Sequence, residues 1–188
     1  MNIGLYFGSF NPIHLGHLLV ATHIREAAQL DEIWFVVSPQ NPFKINTAMA
    51  DENHRLQMVK LSIENVDYFK ALDIEFNLPK PSYTYITLQE LAKKFPDYKF
   101  HLIIGEDNVA KFKEWKEADW IQSNFKILVY NREKSDSQFA IHNSQFYSLP
   151  LIDISSTEIR KRVKDNQSIR YFVTENVEQF TRFHKLYE

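Results

Sequence analysis

The chain has 188 residues, 44% apolar and 14% aromatic, which suffices for one compact core and is short for two domains. Lys and Arg total 22 against 24 Asp and Glu, a formal net charge of -2. That balance excludes whole-chain disorder and disfavours a general nucleic-acid binder, which usually carries a basic excess. With no Cys there is no disulfide, thiolate metal site or Cys nucleophile.

The opening MNIGLYFGSF has neither the charged start nor the cleavage site of a secretory signal. No apolar run approaches the roughly 18 residues that cross a bilayer. The expectation is a cytoplasmic domain without membrane partners. Four apolar runs, at 3–7, 33–37, 100–104 and 125–130, read as buried parallel strands, which carry continuous rather than alternating apolar residues. Helical spacing follows the first run at Val20, Ile24 and Ala27, and the second at Leu56, Val59 and Ile63. Tyr85, Leu88, Leu91 or Ala92, and Phe95 form a third apolar face ahead of the third run. The stretch 131–144 is polar and reads as a surface loop. Helical character returns at Ile159 and Val163, then at Val173, Val177 and Phe180. Strand alternating with helix predicts an α/β fold: a Rossmann-like, doubly wound parallel sheet with helices on both faces. A small C-terminal helical lobe at about 155–188 completes a single domain, 1–188. Ligands of such folds bind beyond the carboxyl ends of the strands.

Five segments could carry chemistry. The first strand runs into Gly8-Ser9-Phe10-Asn11-Pro12-Ile13-His14-Leu15-Gly16-His17, with a helix after it. A helix N-terminus offers N–H groups and partial positive charge, so phosphate suits it. Gly8 would let the backbone approach an anion, and Gly16 would keep the space between the imidazoles open. The plainer reading is an ordinary βα turn with two surface His. Another is a zinc pair, for which no further ligands stand nearby in sequence. Past the second strand, PQNPFK stiffens a loop with two prolines and delivers Lys44, which alone would read as a solvated surface residue.

Ile154-Ser155-Ser156-Thr157-Glu158-Ile159-Arg160 fits a capping box at Ser155 and Glu158, opening a helix with hydroxyls and Arg160 in its first turn. Capping alone would explain it. Beside the first motif, two helix N-termini facing one polyphosphate is the better reading. Pro81-Ser82-Tyr83-Thr84 heads the third helix. Gly105 and Asp107 follow the third strand, where ribose hydroxyls often meet a carboxylate. Trp115 and Tyr83 could stack on a planar ring or belong to the core.

Together GSFNPIHLGH, PQNPFK, the helix with Arg55 and Met58, PSYTYITL, LIIGEDNVAKFKEW and ISSTEIRKRV resemble the HxGH nucleotidyltransferases, and within them the bacterial nicotinate-nucleotide adenylyltransferase family. The resemblance spans nearly the whole chain in family order. HxGH is widely shared, whereas PSYT with GxD and the later Trp is more specific. Two departures stand out: Phe7 replaces the first of two glycines, and Asn11 stands where Asp is frequent.

The resemblance implies transfer of AMP from ATP to nicotinate mononucleotide, giving deamido-NAD and pyrophosphate in NAD biosynthesis. It implies His17 and His14 on the transferring phosphates, with Lys44 and Arg160 offsetting the charge of the departing pyrophosphate. ATP would meet Gly8, Ser9, Phe10, Gly16, Gly105, Asp107, Ile154, Ser155, Ser156 and Thr157. The mononucleotide would meet Asn11, Ser82, Tyr83, Thr84 and Trp115. Mg²⁺ would be held through the ATP phosphates, with no protein metal site. Small-molecule nucleotides are the expected partners, not nucleic acid; a homo-oligomer is left open. The alternatives are a relative acting on nicotinamide mononucleotide or phosphopantetheine, and a non-catalytic nucleotide-binding module.

Overall fold

The computed structural model describes residues 1–40, 49–131, 141–150 and 153–188. Its centre is a six-stranded sheet, every neighbouring pair parallel: β1 (Asn2–Gly8), β2 (Glu32–Val37), β3 (Phe69–Leu72), β4 (Lys99–Gly105), β5 (Lys126–Asn131) and β6 (Ser144–Ser148). The order across the sheet is β3-β2-β1-β4-β5-β6. The four apolar runs are the four inner strands. The two edge strands, FKAL and SQFYS, were not expected. They are short edge strands, one with a single buried residue and the other with none, and so lack the continuous apolar run that marks a buried strand. The expected 131–144 loop leaves β5 at Asn131 and reaches β6 at Ser144; 132–140 lie outside the described residues.

The pleat sends alternate side chains of each inner strand to opposite faces. Ile3 and Leu5 join Trp34, Val36, Phe100, Leu102, Ile127 and Val129 on one face, under Leu88 and Leu91 of α3 (Thr84–Lys94), Val109 of α4 (Glu106–Val109) and Ile121 of α5 (Ala118–Asn124). Leu91, not Ala92, completes the apolar face of α3. Tyr6, Ile33, Phe35 and Val37 face the other way, under α1 (Leu15–Ala27) and α2 (Glu52–Ile63). The same cluster takes in Ile159 of α6 (Ser156–Lys164), Val177 of α7 (Glu175–Phe183), and Ile169, Val173 and Leu186. The C-terminal helices are thus packed into the same core as α1 and α2.

The chain turns to opposite sides of the sheet on leaving β1 and reaching β4. That reversal opens a crevice at the carboxyl ends of the two strands, where Gly8 and Gly105 lie. No helix among the described residues is long and apolar enough to cross a membrane.

Candidate active site

The segment between β1 and α1 is held from several directions. Phe10 takes a left-handed backbone (φ 45°) and turns its ring into the core, edge-on to Phe35 and to His17 at 5.7 and 5.1 Å between ring centres. A Cβ on Gly8 would lie 2.7 Å from that ring. Gly8 is therefore required by the packing of Phe10, besides any approach of an anion, and Phe10 has only backbone to offer a ligand. Asn11, joined to Pro12 by a cis peptide, is buried. Its Oδ1 accepts from Ala50 N–H at 3.1 Å and from the Tyr187 hydroxyl at 2.9 Å. Ser9 Oγ is buried with no partner among the described residues, a hydroxyl left for a ligand.

His14 is the N-cap of α1 and His17 stands one turn on. Their rings lie against each other, with centres 3.7 Å apart and planes 31° from parallel. The backbone N–H of His14 donates to His17 Nδ1 at 3.2 Å. An accepting Nδ1 carries no proton in the neutral ring, so His17 presents Nε2–H as a donor. The predicted helix N-terminus is only partly open. Leu15 N–H donates to Phe172 O and His17 N–H to His14 O, both at 2.9 Å. Gly16, buried in that first turn, meets no described acceptor with its N–H.

Two arginines clasp this segment by its carbonyls. Arg55 of α2 is 1% exposed and forms no ion pair among the described residues. Its Nη1 donates to Ser9 O and Ser38 O at 2.7 Å, its Nη2 to Pro39 O at 3.0 Å and its Nε to Ala50 O at 2.9 Å. One guanidinium thereby joins the ends of β1 and β2. Burial pushes its pKa below the ordinary value, against the pull of Tyr187, Glu52 and Asp51. Arg160 of α6 donates to Asn11 O at 2.8 Å and to Thr157 Oγ1 at 3.2 Å. Ser156 Oγ donates to Pro12 O at 2.8 Å. Ser155 accepts from Glu158 N–H at 3.2 Å and caps α6, which is one half of the expected capping box; the Glu158 carboxylate lies 3.8 Å from Arg162. Ile154 packs against the core just before it.

Beside this segment lies a cavity of about 430 Å³, lined by Gly8, Gly105, Ser82, Tyr83, Thr84 and Trp115 among others. Four residues expected to meet one ligand thus share one wall. Tyr6 also lines it and reaches toward the motif, its ring 6.1 Å from that of His17 and its hydroxyl 3.2 Å from that of Tyr130. Ser82 N–H donates to Gln40 O at 3.0 Å and ties this wall to the end of β2. A Cβ on Gly105 would run into the Asp107 carboxylate, so the glycine makes room for that side chain to fold back over the strand end. Asp107 itself is exposed and accepts from Asn108 at 3.2 Å. Lys44 lies outside the described residues. Glu75, Asn108 and Lys116, which the sequence did not single out, line the cavity too.

The cytidylyltransferase-like family model matches residues 5–162. A probable nicotinate-nucleotide adenylyltransferase of Cytophaga hutchinsonii is 47% identical over 189 residues, covering 100% of this chain and 98% of that protein. One from Flavobacterium psychrophilum is 45% identical over 174 residues, 90% of each chain. The chain belongs to the nicotinate-nucleotide adenylyltransferase family. The fold agrees with that of the nicotinic acid mononucleotide adenylyltransferase of Plasmodium falciparum, solved with NaAD, at a TM-score of 0.81, 22% identity and coverage of 99% and 97% of the two chains.

Proposed function

We propose that the chain condenses ATP with nicotinate mononucleotide, the mononucleotide phosphate attacking the α-phosphorus in line and pyrophosphate leaving. The observation that carries the reading is the junction of two features at one crevice. The double-histidine turn, with its free Ser9 hydroxyl and His17 Nε2–H donor, suits a polyphosphate. The adjoining cavity, walled by Ser82, Tyr83, Thr84 and Trp115, suits a flat heteroaromatic ring. A phosphate monoester has a second pKa near 6, so the nucleophile is already largely dianionic at neutral pH and needs no strong base. Catalysis then rests on holding two anions together and on stabilising charge on the transferring group.

His17 would hydrogen-bond the α-phosphate as charge builds, and His14, lying against it, would set its angle. Ser9, Gly16, Ser155, Ser156 and Thr157 would hold ATP, with Gly105 and Asp107 at the ribose. Arg160, although it clasps Asn11, keeps N–H groups for the departing pyrophosphate, and Lys44 is assigned the same task. Among the described residues no three potential metal-ligating side chains gather. Mg²⁺ would be carried by the ATP phosphates, where it would screen their charge. Both substrates are small intracellular nucleotides, so cytoplasmic work is part of the proposal.

The test is pyrophosphate release from ATP and Mg²⁺ with nicotinate mononucleotide, nicotinamide mononucleotide and phosphopantetheine in turn. Strong preference for the first is expected. Preference for another would keep the phosphate chemistry and overturn the acceptor assignment.

A further inference from the structure

Glu75 sits in the 3-10 turn Ile74–Asn77, next to Leu72 at the end of β3, and lines the cavity while being 1% exposed. Its Oε1 accepts from the Thr87 hydroxyl of α3 at 2.8 Å. Its Oε2 is buried without a partner among the described residues, and so is Ser82 Oγ on the same wall. Buried polar atoms are normally paired, because an unpaired one forfeits its bonds to water. The Ser38 and Ser82 hydroxyls stand close to the carboxyl without closing a hydrogen bond on Oε2, so both Oε2 and the Ser82 hydroxyl are placed for a ligand in the cavity to complete. No described cation meets the carboxyl. Thr87 from α3, Ser38 from the end of β2 and Ser82 from the loop before α3 bring only hydroxyls. The charges elsewhere on the wall are Glu114 and Lys116, and the Lys116 ammonium lies 4.8 Å from the centre of the Tyr83 ring. Tyr6, Tyr83 and Tyr130 add phenols. Burial pushes the Glu75 carboxyl above the ordinary carboxylate range, and the three hydroxyls pull only part of the way back.

We propose that Glu75 and Ser82 read the ring substituent of the acceptor, so that Glu75 is a specificity-determining residue. The hydrogen-bond inventory decides the sign. A protonated Glu75 has an O–H to donate to the carboxylate of a nicotinate ring. An ionised Glu75 has only acceptors: it repels that carboxylate and suits the N–H₂ of a nicotinamide ring. The nicotinamide nucleotide also carries a net positive charge on its ring, which a buried anion favours. The acid acceptor is therefore bound with the Glu75 proton in place. This inference rests on the function proposed above.

The experiment is kcat/KM for nicotinate and nicotinamide mononucleotides between about pH 5 and pH 8.5, in the wild type, Glu75→Gln and Ser82→Ala. Both acceptors share the titrating phosphate, so the ratio of the two values cancels it. Above the Glu75 pKa the wild-type acid-to-amide ratio should fall by up to about tenfold per pH unit, while Glu75→Gln, with a permanent donor and acceptor, should give a flat ratio. Ser82→Ala should lower the ratio without flattening its pH dependence. Should Glu75→Gln fail to fold, calorimetry of the wild type in two buffers replaces it, with proton uptake expected for the nicotinate nucleotide and not for the nicotinamide nucleotide. A flat wild-type ratio, an equal fall in Glu75→Gln, or equal proton uptake for both acceptors would overturn the assignment while leaving the enzyme's function intact. No turnover of either acceptor would overturn both.

Discussion

The hydroxyl of Tyr187 donates to Oδ1 of Asn11 at 2.9 Å, joining two residues from opposite ends of the chain. The same oxygen takes the Ala50 N–H, which can only donate, so the amide has one orientation and its N–H₂ group faces away from both. Burial pushes the Tyr187 phenol up, against the pull of Arg160 and Arg55, so it stays a neutral donor throughout the working range. Tyr187→Phe removes the bond and leaves Ala50 as sole donor. The expected cost is about 1 kcal/mol, read as a melting point lower by about 2–4 °C, with a fall in kcat of a few-fold as the loop before His14 loosens. An unchanged kcat would make the contact purely structural.

His17 accepts through Nδ1, so its neutral ring carries the proton on Nε2, the nitrogen assigned to the α-phosphate. Removal of one such donor costs on the order of 10²-fold in kcat, which is the expectation for His17→Ala. Gln reaches the Nε2 position with an amide N–H, whereas Asn reaches only the Nδ1 position. His17→Gln should therefore retain more turnover than His17→Asn. The reverse order, measured as kcat at saturating substrates, would place the useful nitrogen at Nδ1.

Arg55 satisfies four carbonyls while buried. An ammonium has three donors and no planar fork, so Arg55→Lys leaves at least one carbonyl unpaired and opens space around the rest. A loss of about 2–4 kcal/mol is expected, read by urea denaturation. Activity measured well below the new midpoint should fall as well, because the clasp fixes the segment after β1 that leads to the double-histidine turn. Full activity under those conditions would confine Arg55 to stability.

His101 lies at the opposite end of the sheet, 6% exposed, its pKa lowered to about 4 by burial and then by Lys99 and Lys126. The unfolded chain takes up this proton near pH 6.5 and the folded chain only near pH 4. Stability from the neutral ring is therefore complete above about pH 6.5 and drains away as pH falls toward 4, by up to about 3 kcal/mol. His101→Gln removes the titration. Between pH 7 and about pH 4.5 the wild-type melting point should fall more steeply than that of the variant, and parallel curves would refute the linkage.

Much of this molecule is legible in its sequence because its inner strands are buried on both faces, and burial writes an apolar run. The edge strands Phe69–Leu72 and Ser144–Ser148 are covered less and write no such run. The site is legible where chemistry demands a local pattern: two His three apart at a helix start, a Ser-capped helix with Arg160, and Gly105 at a strand end. Arg55, Glu75 and Tyr187 act through partners far off in the chain, so no local spacing announces them. Arg55 did leave one trace, a charged residue within the buried set of α2 alongside Leu56, Met58, Val59 and Ile63. An arginine inside an apolar stripe must find acceptors in the interior, and here these are the carbonyls of the active loops.

The double-histidine turn stands near the start of the chain, yet what fastens it comes from much later. Ile3 of the preceding strand pairs with Phe100, Leu15 N–H is met by Phe172, Asn11 O by Arg160 and its side chain by Tyr187. During synthesis the double-histidine turn emerges first and acquires its final geometry last. Contacts so distant in sequence are formed slowly, and a ribosome that stops before α6 releases a polypeptide that carries both histidines without the residues that fasten them.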